Sequence, residues 1–371
     1  MRVLVTGGAG FIGSYIVDEL LRRGHMARIF DNIDPQVHPG GKPPAHLNPD
    51  AEFILGDVRD RAALKDALEG VDAVFHKAAA VGVAQSQYRV NYFVETNVMG
   101  TSNLLDILAN EKHKVGKVIV AASMSSYGEG EYRCKNCGFV RPGLRSEKLM
   151  AQEDWKNYCT HCGMQVLPIP TREEARQVPN SIYSITKMNQ EQMVLNIGKT
   201  YGIPAVALRY FNVYGPRQSL NNPYTGVTAI FMSRIKNGNR PVVYEDGQQT
   251  RDFISVHDVV EANMLALVSD RANGKTFNIG TGRGTAIKAV AETLARLCGR
   301  EEIQPSVEKK YRKGDVRHCY ANIDHARDLL GFMPKVAFEN GMKELIAWAD
   351  SVEASDRFDV VAKELKEKGL M

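Results

Sequence analysis

Tyr183 and Lys187 stand four residues apart in the stretch Tyr183-Ser184-Ile185-Thr186-Lys187. On a helix that spacing puts both side chains on one face. An ammonium beside a phenol favours the phenolate and lowers the acid's pKa. The pair is therefore expected to take a proton from an alcohol, with the tyrosine as base and the lysine setting its charge. Tyr-x-x-x-Lys is common in proteins and gains meaning only beside a second group.

That group lies near the start of the chain. Thr6-Gly7-Gly8-Ala9-Gly10-Phe11-Ile12-Gly13 has the spacing Gly-x-x-Gly-x-x-Gly, between an apolar run and an amphipathic one. Glycines there let the backbone approach a pyrophosphate, whose charge the following helix N-terminus favours. Asp31 comes 18 residues after Gly13, at the end of the next apolar run. A carboxylate there can accept from both ribose hydroxyls and would repel a 2′-phosphate, which selects NAD over NADP. Gly7, Gly10, Phe11, Ile12, Gly13, Asp31 and Asn32 are thus expected cofactor contacts, with Asp57 and Val58 near the adenine.

A third set is four cysteines: Cys134, Cys137, Cys159 and Cys162, two Cys-x-x-Cys pairs with 21 residues between them, each pair followed by glycine. This spacing matches a closed, four-thiolate structural zinc site. A redox-labile dithiol pair or a rubredoxin-type iron site is the alternative. Four thiolates leave no open position for catalysis by the metal.

These groups need positioning elements. Arg2–Thr6, Ala27–Phe30, Glu52–Leu55, Ala73–His76, Lys117–Ala121 and Ala205–Tyr210 read as strands. Phe11–Arg22, Arg59–Leu68, Tyr92–Leu108 and Ser181–Lys199 read as the helices between them. Strand–helix alternation of this kind predicts an α/β fold with a doubly wound parallel sheet. Residues 1–130 and 179–215 are expected to form the dinucleotide-binding domain. Residues 131–178 would be a zinc-ribbon-like insertion, 216–351 a smaller α+β substrate portion, and 352–371 a C-terminal helix with Phe358, Val361 and Leu365 on one face.

Composition narrows the classes. The chain has 371 residues, 44% hydrophobic and 24% charged, ordinary for a globular protein. No run approaches the length of a membrane span. Val3-Leu4-Val5 is cut off by Gly7, too short for a signal-peptide core, so a cytoplasmic protein is expected. The net charge of +4 is scattered, and residues 131–178 hold eight Lys/Arg against six Asp/Glu without a basic stripe. Nucleic acid is therefore not an expected partner.

Taken in order, the motifs resemble those of the extended short-chain dehydrogenases/reductases, in the NAD-dependent sugar epimerase/dehydratase family, over about residues 1–351. The resemblance rests on the glycine loop, Asp31-Asn32, Val74-Phe75-His76-Lys77-Ala78-Ala79, Asn97-Val98-x-Gly100-Thr101 and Ser123-x-x-x-Tyr127-Gly128. It continues through Tyr183/Lys187, Arg209-Tyr210-Phe211-Asn212-Val213-Tyr214-Gly215-Pro216, Arg251-Asp252-Phe253-Ile254 and Arg312-x-Gly314-Asp315. It implies a Rossmann-type fold and a nucleotide-sugar substrate. By it, Ser123 bonds the reacting sugar hydroxyl, Tyr183 is base and acid, and Lys187 holds the nicotinamide ribose. Ala78 joins the cofactor site, and Asn97 either joins it or braces its helix. Ser125 joins the substrate site, Asn212, Arg251 and Arg312 meet the diphosphate, and Asp315 the nucleoside. His76 reads as a packed, hydrogen-bonded residue rather than a base.

The family's dehydratases carry an Asp-Glu pair after the serine or threonine, where this chain has Met124 and Ser125. The resemblance then implies 4-epimerisation, by transient oxidation at C4 and hydride return to the opposite face. Met124–Gly130, Asn222-Pro223-Tyr224-Thr225-Gly226 and the cysteines resemble a dTDP-L-rhamnose 4-epimerase subgroup; a UDP-hexose or UDP-uronate is the other substrate class. A 4-ketoreductase or dehydratase of the same family, or a non-catalytic nucleotide sensor, are the alternatives. Ser123 and Tyr183 are 60 residues apart, and the cysteines account for that length. Because Ser123 and Tyr183 flank it, the insertion is expected beside the sugar pocket, as lid or oligomer contact. The resemblance also implies a homodimer through Tyr92–Leu108 and Ser181–Lys199.

Overall fold

In the computed structural model, which describes all residues except Thr225 and Met371, seven parallel strands form one sheet. Thr225, part of the quoted Asn222–Gly226 stretch, thus lies outside the described residues. The strands are β1 (Arg2–Thr6), β2 (Met26–Asp31), β3 (Glu52–Leu55), β4 (Ala73–His76), β5 (Lys117–Ser123), β6 (Ala205–Tyr210) and β7 (Lys275–Ile279), in the order β3-β2-β1-β4-β5-β6-β7. Most of these strands are continuous apolar runs because helices cover both sheet faces. On one face α1 (Phe11–Arg22) packs with Val259, Ala262 and Met264 of the later helix Val256–Val268. On the other, Leu64, Leu104, Leu108 and Val194 of α2 (Arg61–Ala67), α3 (Gly100–Asn110) and α4 (Ile182–Tyr201) close a second core.

The order in which strands are added reverses between β1 and β4, where an open α/β sheet leaves a crevice at its strand ends. Here that crevice is tight. A Cβ on Gly7, whose φ is +69°, would meet the Ala78 backbone nitrogen at 2.8 Å. Only glycine lets these two loops touch. The segment before α3 is not one regular helix as the periodicity suggests. Val94–Met99 widens into a π-helical turn between Val90–Phe93 and α3. Gly100 then packs on Val58, whose Cγ2 lies 2.5 Å from where a Cβ would stand.

The expected substrate portion, 216–351, is not one contiguous unit. Strand Phe253–Ser255 pairs with Asn212–Tyr214, helix Val256–Val268 covers α1, and β7 joins β6 in the main sheet. Apolar burial explains the return: Phe277 and Ile279 are fully buried and complete the sheet's edge. The remainder builds its own core around Phe231, Met232, Leu294 and Leu345. Residues 131–178 hold a three-stranded antiparallel sheet of Tyr132–Cys134, Gly138–Val140 and Leu167–Pro168. Its core is Tyr132, Cys134, Val140, Cys159 and Val166, so two of the four cysteines are its apolar centre.

Candidate active site

A cleft of about 660 Å³ runs from the glycine loop across the ends of the strands to the core built around Phe231. That size suits a dinucleotide together with a further small molecule. Gly7, Gly10, Phe11, Ile12, Gly13, Asp31, Asn32, Asp57, Val58 and Ala78 line one end. Ser123, Ser125, Tyr183 and Lys187 lie between, and Asn212, Arg251, Arg312 and Asp315 line the other end.

At the first end the glycine loop is built for close approach. A Cβ on Gly13 would stand 2.1 Å from the Gly7 carbonyl oxygen. Asp31 is pinned by the amides of Ala9 (3.0 Å) and Ile33 (2.9 Å), one on each carboxylate oxygen. Each oxygen keeps capacity for a ribose hydroxyl. Burial pushes the Asp57 carboxyl up, but hydrogen bonds from Arg59 and Asn32 outweigh it and hold the group below its usual range. The loop, the pinned carboxylate and the acid beside it fit an adenine dinucleotide.

Of its two expected roles, Asn97 is seen in the bracing one. It is fully buried and does not line the cleft. Its side chain accepts from the Ala80 amide at 2.7 Å and donates to the Ala80 carbonyl and to Thr186 Oγ1. All its polar atoms are spent bracing the loop after β4 against α4, so it is a support for the site and not a cofactor contact. His76 is fully buried between Thr6 and Thr101, at 2.8 and 2.9 Å, and burial lowers its pKa to about 3. It is a neutral structural residue.

At the centre, α4 begins with Ser181, which accepts from the Ser184 amide while Ser184 accepts from the Ser181 amide. This reciprocal cap starts the helix two residues before Tyr183. Ser123 Oγ accepts from the Ser125 amide (3.2 Å) and hydroxyl (2.9 Å), which leaves its proton to donate into the cleft. The expected electrostatics of the pair are not found. Lys187 Nζ donates to the Ala121 carbonyl oxygen at 2.9 Å, turned to the end of β5. Burial raises the Tyr183 pKa above its ordinary value, opposed by the Ser123 hydroxyl, and lowers that of Lys187 to about 7. The i and i+4 positions share a face as expected, but the long lysine finds a carbonyl acceptor first.

Lys77 also lines the cleft, and the sequence reading gave it no role. Its ammonium bonds Tyr210 Oη at 2.9 Å and lies 5.3 Å from the Phe75 ring. Burial and the Lys187 charge pull its pKa well down. The signal in the sequence was a cation at the end of an apolar strand.

At the far end Arg312 pairs with Asp315 at 2.9 Å and faces the Tyr244 ring. Arg251 is tied to the carbonyls of Thr250, Val316 and Arg317. The side-chain oxygens of Asn212, Gln218 and Gln249, all in the cleft wall, are buried with no hydrogen-bond partner among the described residues. Unpaired buried polar atoms are costly, so this end is built for a polar ligand. Phe358, Val361, Ala362 and Leu365 of the helix Phe358–Glu367 complete the wall. The expected apolar face of that helix is thus on the cleft.

In the insertion, the sulfurs of Cys134, Cys137, Cys159 and Cys162 lie within 4.8 Å of one another, all as free thiols. Cys134 and Cys162 approach to 3.5 Å, close to the ~3.8 Å edge of a tetrahedron with ~2.3 Å zinc–sulfur bonds. The His161 amide points at Cys159 Sγ (3.4 Å), which suits a thiolate. The donor set fits a tetrahedral metal.

Comparison with known proteins agrees with this geometry. The model of the NAD dependent epimerase/dehydratase family matches residues 3–280. A dTDP-L-rhamnose 4-epimerase of Burkholderia thailandensis is 35% identical over 94% of this chain and 94% of its own. Among solved structures, a UDP-glucose 4-epimerase of Thermotoga maritima with UDP-glucose is similar, with a TM-score of 0.77 and 31% identity over 95% of this chain and 99% of its own. A Thermus thermophilus UDP-glucose 4-epimerase in complex with NAD has a TM-score of 0.74 and 30% identity over 95% of this chain and 100% of its own. By glycine loop, Tyr/Lys pair, sheet order and these likenesses, the chain belongs to the NAD dependent epimerase/dehydratase family.

Proposed function

We propose that this protein is a nucleotide-sugar 4-epimerase that holds NAD, with a dTDP-6-deoxyhexose such as dTDP-L-rhamnose, or a UDP-hexose or UDP-uronate, as substrate. The observation that carries the reading is the placing of Ser123, Tyr183 and Lys187 in one cleft, between the glycine loop and the Arg251/Arg312/Asp315 end. When bound, NAD supplies a hydride acceptor that returns the hydride. The glycine loop would hold its pyrophosphate, Asp31 its ribose and Lys187 its nicotinamide end.

The chain's own residues do the proton work. Tyr183 takes the proton of the sugar hydroxyl and gives it back, and Ser123, held by Ser125, orients that hydroxyl. A base in that role contributes about 10²–10⁴-fold. Arg312, Arg251 and the Asn212 amide nitrogen hold the diphosphate, and the unpaired side-chain oxygens of Gln218 and Gln249 accept from the nucleoside or sugar. Met124 and Ser125 leave no acid–base pair for expelling water, which separates this site from 4,6-dehydration.

The four thiolates of the insertion would hold a structural zinc. A homodimer through α3, α4 and the segment before α3 is supported by Met99 and Ile185, 51% and 38% exposed on those elements. We place the protein in the cytoplasm; no helix among the described residues is long and apolar enough to cross a membrane.

The test is incubation of the purified protein, without added cofactor, with dTDP-L-rhamnose, UDP-glucose, UDP-galactose and UDP-glucuronate, read by proton NMR in D₂O. A C4 epimer without deuterium at C4, abolished by Tyr183→Phe while NAD still co-purifies, is the expected result. Inversion at C3 or C5 with deuterium incorporated would overturn it. So would turnover that requires added reduced cofactor.

A further inference from the structure

The loop 310–317 brings Arg312 and Asp315 to the cleft without belonging to any helix or strand. Something else must hold it. Much of that hold comes from the cysteine insertion. Arg145, in the insertion, has a side chain only 2% exposed. Its guanidinium makes a two-pronged ion pair with Glu245, at 2.7 and 2.8 Å, and donates to the Asp315 carbonyl oxygen at 3.0 Å. The Glu245 amide in turn donates to the Lys310 carbonyl at 2.9 Å, at the start of the loop. At its end, Arg317 shares Glu245 (2.7 Å) and pairs with Asp246. Glu129, beside the insertion, accepts from the Arg317 amide at 2.6 Å and is held by the Tyr132 hydroxyl at 2.7 Å.

Arg145 does not line the cleft. It therefore acts on any ligand only through the loop. Meanwhile the ion pair that would meet the ligand is itself loosely covered: the Arg312 and Asp315 side chains are 41% and 26% exposed. A half-exposed arginine on an irregular loop has many conformations, and each one frozen on binding weakens affinity. A buried, planar, bidentate clamp on the adjacent backbone limits that loss before the ligand arrives.

We propose that Arg145 is a positioning residue for the nucleotide part of the substrate, and that the cysteine insertion sets affinity by fixing the loop 310–317. This deepens the nucleotide-sugar reading of the cleft and rests on it. The role predicts a division of labour. Loss of Arg145 loosens Arg312 and Asp315 but leaves Tyr183, Ser123 and Lys187 in place. KM should rise while kcat holds, because the lost contact serves substrate and transition state alike. Arg317 still neutralises Glu245 in the variant, so the fold survives.

Arg145→Met and Arg145→Lys in the full chain test this. The measurements are KM and kcat with the nucleotide sugar the native protein converts, calorimetric binding of dTDP and UDP, and amide hydrogen exchange of 310–317. For Arg145→Met the expected result is a KM and a nucleotide Kd raised about 10- to 100-fold, the scale of hydrogen bonds to a charged group. kcat should stay within about twofold, and exchange across 310–317 should accelerate. Arg145→Lys, which keeps the charge but not the fork, should recover part of the affinity. Unchanged KM and Kd, or a fall in kcat at constant KM, would overturn the proposal. Should Arg145→Met fail to fold, Arg145→Lys and Glu245→Gln are judged by the same readings. If the native protein converts no nucleotide sugar and binds neither dTDP nor UDP, the functional reading falls. The exchange rates, which need no ligand, then decide the clamp separately: unchanged exchange sinks it.

Discussion

Arg209 on β6 and Glu191 on α4 form a buried, two-pronged ion pair, at 2.8 and 2.5 Å, with side chains 6% and 5% exposed. The pair ties the helix that carries Tyr183 and Lys187 to the sheet beneath it. Arg209 also bonds Tyr127 Oη at 2.6 Å, one turn beyond Ser123. Breaking one side of such a pair leaves a buried charge uncompensated, at a cost of about 3–5 kcal/mol. Arg209→Met should lose that much in urea unfolding, and Arg209→Met with Glu191→Leu should recover part of it. A single-variant loss under ~1 kcal/mol would refute this account.

Gly13→Ala should lose the cofactor before it loses the fold. The added methyl would stand 2.1 Å from the Gly7 carbonyl oxygen, so the loop must move away from helix α1. The distortion falls where a pyrophosphate would sit. NAD released on denaturing the purified variant should drop about tenfold or more relative to the native chain. Equal NAD content in both would count against the loop as the phosphate cradle.

Glu173 gives a pH signature. Burial raises its pKa from the ordinary 4.5 to about 7. It accepts from the Asn278 amide at 2.8 Å. Between those values the folded chain keeps a proton that the unfolded chain releases. Stability should therefore fall as pH rises from 4.5 to 7, and the penalty is complete above 7. Glu173→Gln keeps the acceptor and removes the charge. It should be more stable than the native chain by about 1–3 kcal/mol at pH 8 and equal near pH 4.5. Urea unfolding at the two pH values checks this; a gain independent of pH would point to another cause.

The purified protein should carry about one zinc per chain, as metal analysis can count. Cys137 and Cys162 are exposed, so as bare thiols they would react at once with a thiol reagent. With zinc they should react slowly, and all four cysteines should become reactive after chelation. Fast reaction of the native protein without chelator would leave the cluster without its metal.

What was legible in the sequence is what lies close together in it. Gly7, Gly10 and Gly13 lie within one turn, and Asp31 ends the next strand, so local spacing brought together residues that line one end of the cleft. Tyr183 and Lys187 share a helix face, and that too was readable. Their electrostatics were not, because the direction of Lys187 depends on a carbonyl from β5, 66 residues away. Asn97 stayed open between bracing and ligand contact for a like reason: only the π-helical turn shows that its amide is consumed by Ala80 and Thr186. Arg145 had no local signal at all, since Glu245 is 100 residues away. The return of β7 to the main sheet was hidden because a short apolar run says nothing of which sheet it joins.

That return has a mechanical consequence. The backbone passes between the core under α1 and the core around Phe231 near residues 213, 253 and 283, again between 303 and 326, and again between 332 and 342, so several covalent straps join the halves of the cleft. A box sewn along so many seams resists swinging open as two rigid lobes. A sugar that shows its other face to a bound dinucleotide would then have to turn over inside the cleft as it stands. The room left around the ring, more than any opening of the protein, would then limit how bulky a substituent the sugar can carry.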